Sequence, residues 1–368
     1  MKIGILTYHR AHNYGAMLQA YALRTLLQKS GHNVRFIDYW PPSHQQQYAL
    51  FKPMRGESIS KKILNFISDI LTIRRRWNRI KKFTQFANTS LGVAKQVELP
   101  YEQQEITGTY DCIIVGSDQI WRNHITIDEY VGYDPVYFCQ TLTPPSHCIS
   151  YAASMGIIQI TEEEEETLKV YLNTFDKIMV RENSLKELVN KLGFSADVVL
   201  DPTLLLSKEE WNNLLPASPF CKEKYILYYE LIQSQEALYF AEEKAKELGC
   251  KLLIMDANIH TIQRPRHISS ASPIEFIQAI RDAEFVIATS FHGTAFSIIF
   301  EKQFITIGLN KNADRVVTLL QQLNITQQYQ ERPSNYFRIN YTNVNQSLQI
   351  LREKSSTLLL NTINKIQI

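Results

Sequence analysis

Ala288-Thr289-Ser290-Phe291-His292-Gly293-Thr294-Ala295-Phe296-Ser297-Ile298-Ile299 is the stretch from which the rest of the chain is read. The short apolar run Phe285 to Ala288 stops at polar residues, and an apolar pattern of helical period follows, so the stretch reads as strand, turn and helix. In an open α/β sheet, side chains at a strand's carboxyl end and the free N–H groups of the next helix face one crevice, which favours anions. His292 falls at that junction, ahead of a helix expected to begin near Gly293. A local job is equally open to it: His292 bracing the turn, with Gly293 only permitting the bend.

The same rhythm repeats outward from this point. Tyr225–Leu231, Lys251–Met255, Glu284–Ala288 and Phe304–Ile307 read as strands, alternating with helical stretches at Ser234–Leu248, Pro273–Ala283, Gly293–Phe300 and Arg315–Leu323. Toward the amino end, residues 2–7, Val34–Tyr39, Asp111–Val115, Cys148–Ala152, Lys177–Val180 and Asp197–Leu200 are further strands, the first two joined by a helix at Ala16–Gln28. Strands alternating with helices predict doubly wound parallel sheets. Residues 202–223, with Pro202, Pro216 and Pro219, read as a linker between domains at 1–205 and 217–340; the helical tail, 341–368, is expected to pack back on the first. Pro41 to Pro53 reads as a long loop, and 58–71 and 72–88 as two helices.

Composition narrows the class. With 368 residues, 45% hydrophobic and 21% charged, the chain suits two soluble globular domains, and no run of 18 apolar residues exists to span a bilayer. Met1 to Thr7 turns polar too soon for a secretory signal, and five scattered cysteines suit reduced thiols, so the expected location is cytoplasmic. A net charge of +2 argues neither for nor against nucleic acid, no nucleic acid partner is expected, and no His, Cys or carboxylate spacing suggests a metal. Charge is concentrated locally: within 61–82, eight Lys and Arg face only Asp69, which is either a solvated helix face or a surface for an anionic partner, including the inner face of a membrane.

Candidate polar groups cluster at strand ends. Asn13-Tyr14-Gly15 follows the first strand without the spacing of a dinucleotide loop, Ser117 and Asp118 follow the central apolar run, and Arg181 follows a buried strand. An arginine there needs a partner; Glu182 or Ser184 would be an internal one, an anionic substrate an external one. Asp118 suits either a base or a helix cap. The five adjacent glutamates from Glu162 suit the positive end of a helix and need no metal.

Four of these stretches together resemble one family, the polysaccharide pyruvyl transferases: Asn13-Tyr14-Gly15-Ala16-Met17-Leu18-Gln19-Ala20-Tyr21, Val115 to Trp121, Val180-Arg181-Glu182-Asn183-Ser184, and Ser290 to Ala295, spread over about residues 2–325. The resemblance implies two Rossmann-like domains in a glycosyltransferase-B-like arrangement, facing across a cleft. It also implies transfer of pyruvate from phosphoenolpyruvate to two hydroxyls of a sugar in a surface glycan or its precursor, lipid-linked or free, with no cofactor. On that reading His292 is general acid or phosphate ligand and Asp118 the base. Arg181, Ser290, Phe291, Gly293, Thr294, Asn13, Gly15, Gln19 and Ser117 line the substrates. Two positions depart from the family. Ser290-Phe291-His292 stands where active members carry Arg-Leu-His, and Ala16 where some carry an acid, so Lys311, Arg315 or Arg264 would have to supply the missing cation. Two other classes stay open: a nucleotide-sugar glycosyltransferase of the same architecture, and a glycan-pathway binding protein without turnover.

Overall fold

A computed structural model describes residues 1–51, 58–93, 110–127, 130–140, 147–158, 160–259, 266–309, 312–333 and 336–366. Its first half contains β1 (Lys2–Leu6), β2 (Asn33–Phe36), β3 (Cys112–Asp118), the hairpin β4 (His124–Ile127) and β5 (Tyr130–Gly132), β6 (His147–Ala153), β7 (Ile178–Val180) and β8 (Ala196–Val198). The second contains β9 (Tyr225–Glu230), β10 (Lys251–Asp256), β11 (His267–Ile268), β12 (Phe285–Ala288), β13 (Phe304–Ile307) and β14 (Tyr329–Gln330). The helices are α1 (Tyr14–Lys29), α2 (Pro42–Tyr48), α3 (Ile59–Phe86), α4 (Glu162–Leu172), α5 (Asn183–Lys191), α6 (Lys208–Asn212), α7 (Gln235–Glu247), α8 (Pro273–Asp282), α9 (Phe291–Ile299), α10 (Asp314–Gln322) and α11 (Tyr341–Ile366).

Each half is a six-stranded sheet, in the orders β2-β1-β3-β6-β7-β8 and β11-β10-β9-β12-β13-β14, with every pair parallel. The central strands are buried on both faces, which is why β3, β6 and β9 carry near-continuous apolar runs. The second order is that of a Rossmann domain and the first that of a flavodoxin-like one, and both reverse beside their first strand. Loops after β1, β3, β9 and β12 therefore open at the two reversal points, where a crevice forms.

The halves share apolar surface. One buried cluster runs from Ile5 and Leu18 to Phe276 and Phe296, and Tyr14 stacks on Phe276 with centroids 4.7 Å apart. Arg79 of α3 crosses the junction, donating to the His12 carbonyl at 2.9 Å and the Ser269 carbonyl at 3.1 Å. α11 straddles it as well. Tyr341 donates to the Ser297 carbonyl at 3.3 Å, and about three turns of helix further along Arg352 donates to the Leu204 carbonyl at 2.8 Å, so this helix rests on both halves rather than on the first alone.

Three local expectations are corrected. Pro41 to Pro53 is not one loop: Pro42 occupies the first helical position of α2, where a missing N–H costs nothing. The stretches 58–71 and 72–88 form one helix, α3, because Thr72 satisfies the Ser68 carbonyl within the helix and Asp69 pairs with Arg76 across two turns at 2.6 Å. α9 begins at Phe291 rather than Gly293, since the Ser290 hydroxyl caps it by accepting from the Gly293 N–H at 2.9 Å.

Candidate active site

The site forms around a residue that the sequence reading left as a turn, Asp201. It follows Val199 and Leu200, the buried apolar pair after β8, and caps the short helix at Pro202–Leu204, with Oδ1 accepting from the Thr203 N–H at 2.9 Å and the Thr203 hydroxyl at 2.7 Å. Oδ2 turns the other way. It accepts from Ser117 Oγ at 2.9 Å and Arg181 Nη1 at 2.6 Å, and lies 3.7 Å from His292 Nε2. Burial alone would raise this carboxyl; His292, Arg181 and Thr203 outweigh it and hold Asp201 well below the usual carboxylate range. The sequence signal was the one that singled out Arg181, a charge placed directly after a buried strand.

Arg181 therefore has an internal anion, and it is Asp201, not Glu182 or Ser184. The Glu182 carboxylate accepts from Ser154 Oγ at 2.8 Å and the Met155 N–H at 3.0 Å, and Ser184 donates to Asp314. Only one prong of the Arg181 fork is used by Asp201. Nε and Nη2 are buried without a hydrogen-bond partner among the described residues, Nη2 lying 3.9 Å from Asp118. The guanidinium sits over the Phe291 ring at 4.8 Å, and that of Arg315 lies 6.0 Å from the same ring, with its Nε also unpartnered. Burial first, then the charge of Arg181, lowers Arg315 to about 10. Two guanidinium groups on one aromatic ring repel each other, and an anion between them relieves that repulsion.

His292 is brought in by the opposite half. It lies in the first turn of α9, and its imidazole is pressed on the backbone of Gly15: a Cβ built there would sit 1.9 Å from Nδ1. Glycine is required at 15 by this approach rather than by any phosphate. Nε2 has no hydrogen-bond partner among the described residues.

The remaining candidates divide into supports and walls. Asn13 caps α1 through the Ala16 N–H, and Gln19 is fully buried, donating to Thr7 Oγ1 and the Ala16 carbonyl. Ser117 is fully buried on Asp201, and Thr294 bonds the Ser290 carbonyl and Thr306. Gln19, Ser117 and Thr294 have their donors committed to these partners and shape the site, while the Asn13 cap uses its side-chain oxygen. Asp118 caps its own neighbour, accepting from the Gln119 N–H at 2.8 Å, and holds a φ of 75°, a left-handed conformation that aspartate tolerates better than most residues. Lys311 and Arg264 lie outside the described residues. Ser290, Phe291 and Arg315 line a cleft of about 180 Å³ between the halves, opposite Gln119 and Arg122. The cleft opens at the reversal point of the second sheet.

A larger cavity of about 250 Å³, lined by His12, Tyr48, Arg76 and Arg79, also lies between the halves. Arg76 is paired with Asp69, and Arg79 spends its N–H groups on the His12 and Ser269 carbonyls, so their donors are largely committed although the Arg79 charge is not paired by these contacts. Among the described residues, Glu230, Asp256 and His267 bring three donor atoms within 4.8 Å of one another at the ends of β9, β10 and β11. There both oxygens of Asp256 already face His267 Nδ1, at 2.9 and 3.0 Å.

Fold and site together define a two-domain α/β transferase with a cationic interdomain cleft. The family model for polysaccharide pyruvyl transferase matches residues 13–311, and the chain belongs to that family. Solved structures that match the chain do so at low identity. The UDP-GlcNAc 2-epimerase of Neisseria meningitidis, bound to UDP-GlcNAc, is 10% identical, with 99% of this chain and 100% of that one covered at a TM-score of 0.48. The glycosyltransferase SnogD of Streptomyces nogalater is also 10% identical, with 100% and 99% covered at 0.41. No curated protein matches the chain.

Arg181→Lys tests the fork. A single ammonium can hold Asp201 but cannot also present Nε and Nη2, so donor affinity is expected to fall by about 1–3 kcal/mol. The check is donor KM beside the melting temperature. A lowered melting temperature with unchanged KM would leave Arg181 as a partner of Asp201 alone.

Proposed function

We propose that the protein transfers pyruvate from phosphoenolpyruvate to two hydroxyls of one sugar, in a surface glycan or its lipid-linked precursor on the cytoplasmic side, forming a ketal and releasing phosphate. The observation that carries this reading is the convergence of unpartnered Arg181, Arg315 and His292 nitrogens beside the cleft. Phosphoenolpyruvate places a carboxylate and a phosphate on one small skeleton, and two guanidinium groups flanking one aromatic ring suit such a pair of anions. Arg315 supplies the cation that Ser290 does not, and Ser290 caps α9 instead.

In the proposed chemistry a proton is delivered to the vinyl CH2, which becomes the methyl group, as a sugar hydroxyl adds to the adjacent carbon and gives up its own proton to a base. The C–O bond to phosphate then breaks, and the second hydroxyl closes the ketal, its proton leaving with inorganic phosphate. His292 is placed to give the first proton or to hold the leaving phosphate. Asp118, capped on its own neighbour and near Arg181, is the weaker base.

The test is incubation with phosphoenolpyruvate and a panel of glycans. A mass gain of pyruvate less water, matched by one phosphate per ketal, supports the reading. Thermal protection by nucleotide sugars and not by phosphoenolpyruvate would overturn it in favour of a glycosyltransferase. Turnover is expected to survive EDTA, because guanidinium groups do the work a Lewis acid would otherwise do. Loss in EDTA with recovery in one divalent ion would instead bring Glu230, Asp256 and His267 forward.

A further inference from the structure

α3 carries a surface that the cleft does not use. Its inner side, Asp69, Thr72, Arg79, Phe83 and Phe86, is buried against the body of the protein. On its outer side, at 3.6 residues per turn, Ile59, Ile63, Phe66, Ile70 and Trp77 fall on one stripe with Ile67 and Leu71 at its flank. All are between 47 and 78% exposed. Single exposed apolar residues are ordinary, but a continuous stripe over more than three turns marks an interaction surface.

Charge decides among the occupants. Ile59–Phe86 contains eight Lys and Arg against one acid, Asp69, and that acid is buried and paired with Arg76. A second copy of this chain would bring two cationic helices face to face. An anionic lipid surface instead meets both features at once: apolar side chains enter the acyl boundary while lysines and arginines face phosphates. The stripe is ordered to suit. Its first turns are wholly apolar, and Arg74, Trp77 and Lys81 follow on the same exposed side, cations and an indole being the groups that settle at a headgroup layer.

We infer that α3 docks the protein on an anionic lipid surface, with Ile59 to Leu71 at the headgroup boundary and Arg74 and Lys81 on lipid phosphates. No described helix is long and apolar enough to cross a membrane, so the contact is peripheral. Arg76, Arg79 and Ile80, on the sides of α3 turned from that stripe, line the 250 Å³ cavity, so docking holds this interdomain opening beside the lipid surface. The docking itself does not rest on the proposed reaction.

The experiment is sedimentation of the full chain with vesicles of phosphatidylcholine alone or mixed with phosphatidylglycerol. Binding is expected to the mixed vesicles, roughly tenfold or more above phosphatidylcholine, and to weaken as salt rises. Brominated lipid should quench a part of the fluorescence that Trp77→Phe removes. The double variant Ile63→Ser, Ile70→Ser alters only exposed side chains, so it should lose vesicle binding at an unchanged melting temperature. A full chain that stays in the supernatant with mixed vesicles, or a double variant that binds as well as the parent, overturns the inference. So does a dimer, seen by light scattering, that the double variant converts to monomer. Ketal formation on a soluble acceptor, measured in parallel, reports on the cleft alone and separates failure of the reaction from failure of the docking.

Discussion

His292→Ala is expected to lower turnover by roughly 10²–10⁴-fold, the range for a positioned proton donor, with little change in melting temperature. The stability forecast follows from what the imidazole touches: its Nε2 makes no hydrogen bond among the described residues, and Asp201 keeps its bonds to Ser117, Arg181 and Thr203 without it. His292→Gln divides the two roles. Glutamine still donates to a phosphate but cannot deliver a proton, so retained donor binding with lost turnover means acid catalysis, and partial retention of both means binding alone. Gly15→Ala gives an independent reading of the same group. A methyl at 1.9 Å from Nδ1 must displace the imidazole, so the variant should approach the His292→Ala rate although residue 15 has no chemistry of its own. Wild-type turnover per folded molecule in His292→Ala would take the histidine out of the chemistry and leave it as a wall of the site.

The architecture was legible because its signals are local and redundant: buried parallel strands are continuous apolar runs, and each is followed by a helix of clear period. Helix limits were less so. Ser290 reads equally as a strand-end polar residue or a cap, and the choice moved His292 from ahead of the helix into its first turn. The sequence reading divided α3 at residue 72, whereas Asp69 and Thr72 lie on the buried inner face of one continuous helix. An apolar stripe in a sequence also does not say whether it faces a core, and on α3 it faces outward. The site was legible by strand ends, which carry Ser117, Arg181 and Ser290, but not by pairing. Arg181 has three carboxylates within a few residues of strand ends, Asp118, Glu182 and Asp201, and only the three-dimensional arrangement selects Asp201. The same limit applied to Gly15, whose need for glycine comes from a side chain 277 positions away in the chain.

Asp201→Asn is expected to be the most damaging single substitution, because Asp201 joins groups from three strand ends. Asparagine keeps the shape and can still accept from Thr203, but it removes the carboxylate hydrogen-bonded to Arg181 at 2.6 Å and leaves the buried guanidinium with Asp118 at 3.9 Å, a break that costs up to about 3–5 kcal/mol in comparable pairs. Turnover should fall with it, since both Arg181 and His292 lose the carboxylate that orients them. The acid limb of stability identifies the cause. The folded-state pKa of Asp201 lies below its unfolded value of about 3.9. Its contribution is therefore fully present above the ordinary carboxylate range and is lost as pH falls below that range toward the folded value. The variant cannot lose what it lacks: its deficit against the parent should be largest at neutral pH and shrink steadily as both proteins are acidified. Melting temperatures of parent and variant across that range give the answer. A deficit that stays constant down to the acid end would mean that asparagine disrupts packing at the Pro202–Leu204 turn, and that the charge of Asp201 is not what holds Arg181 and His292 together.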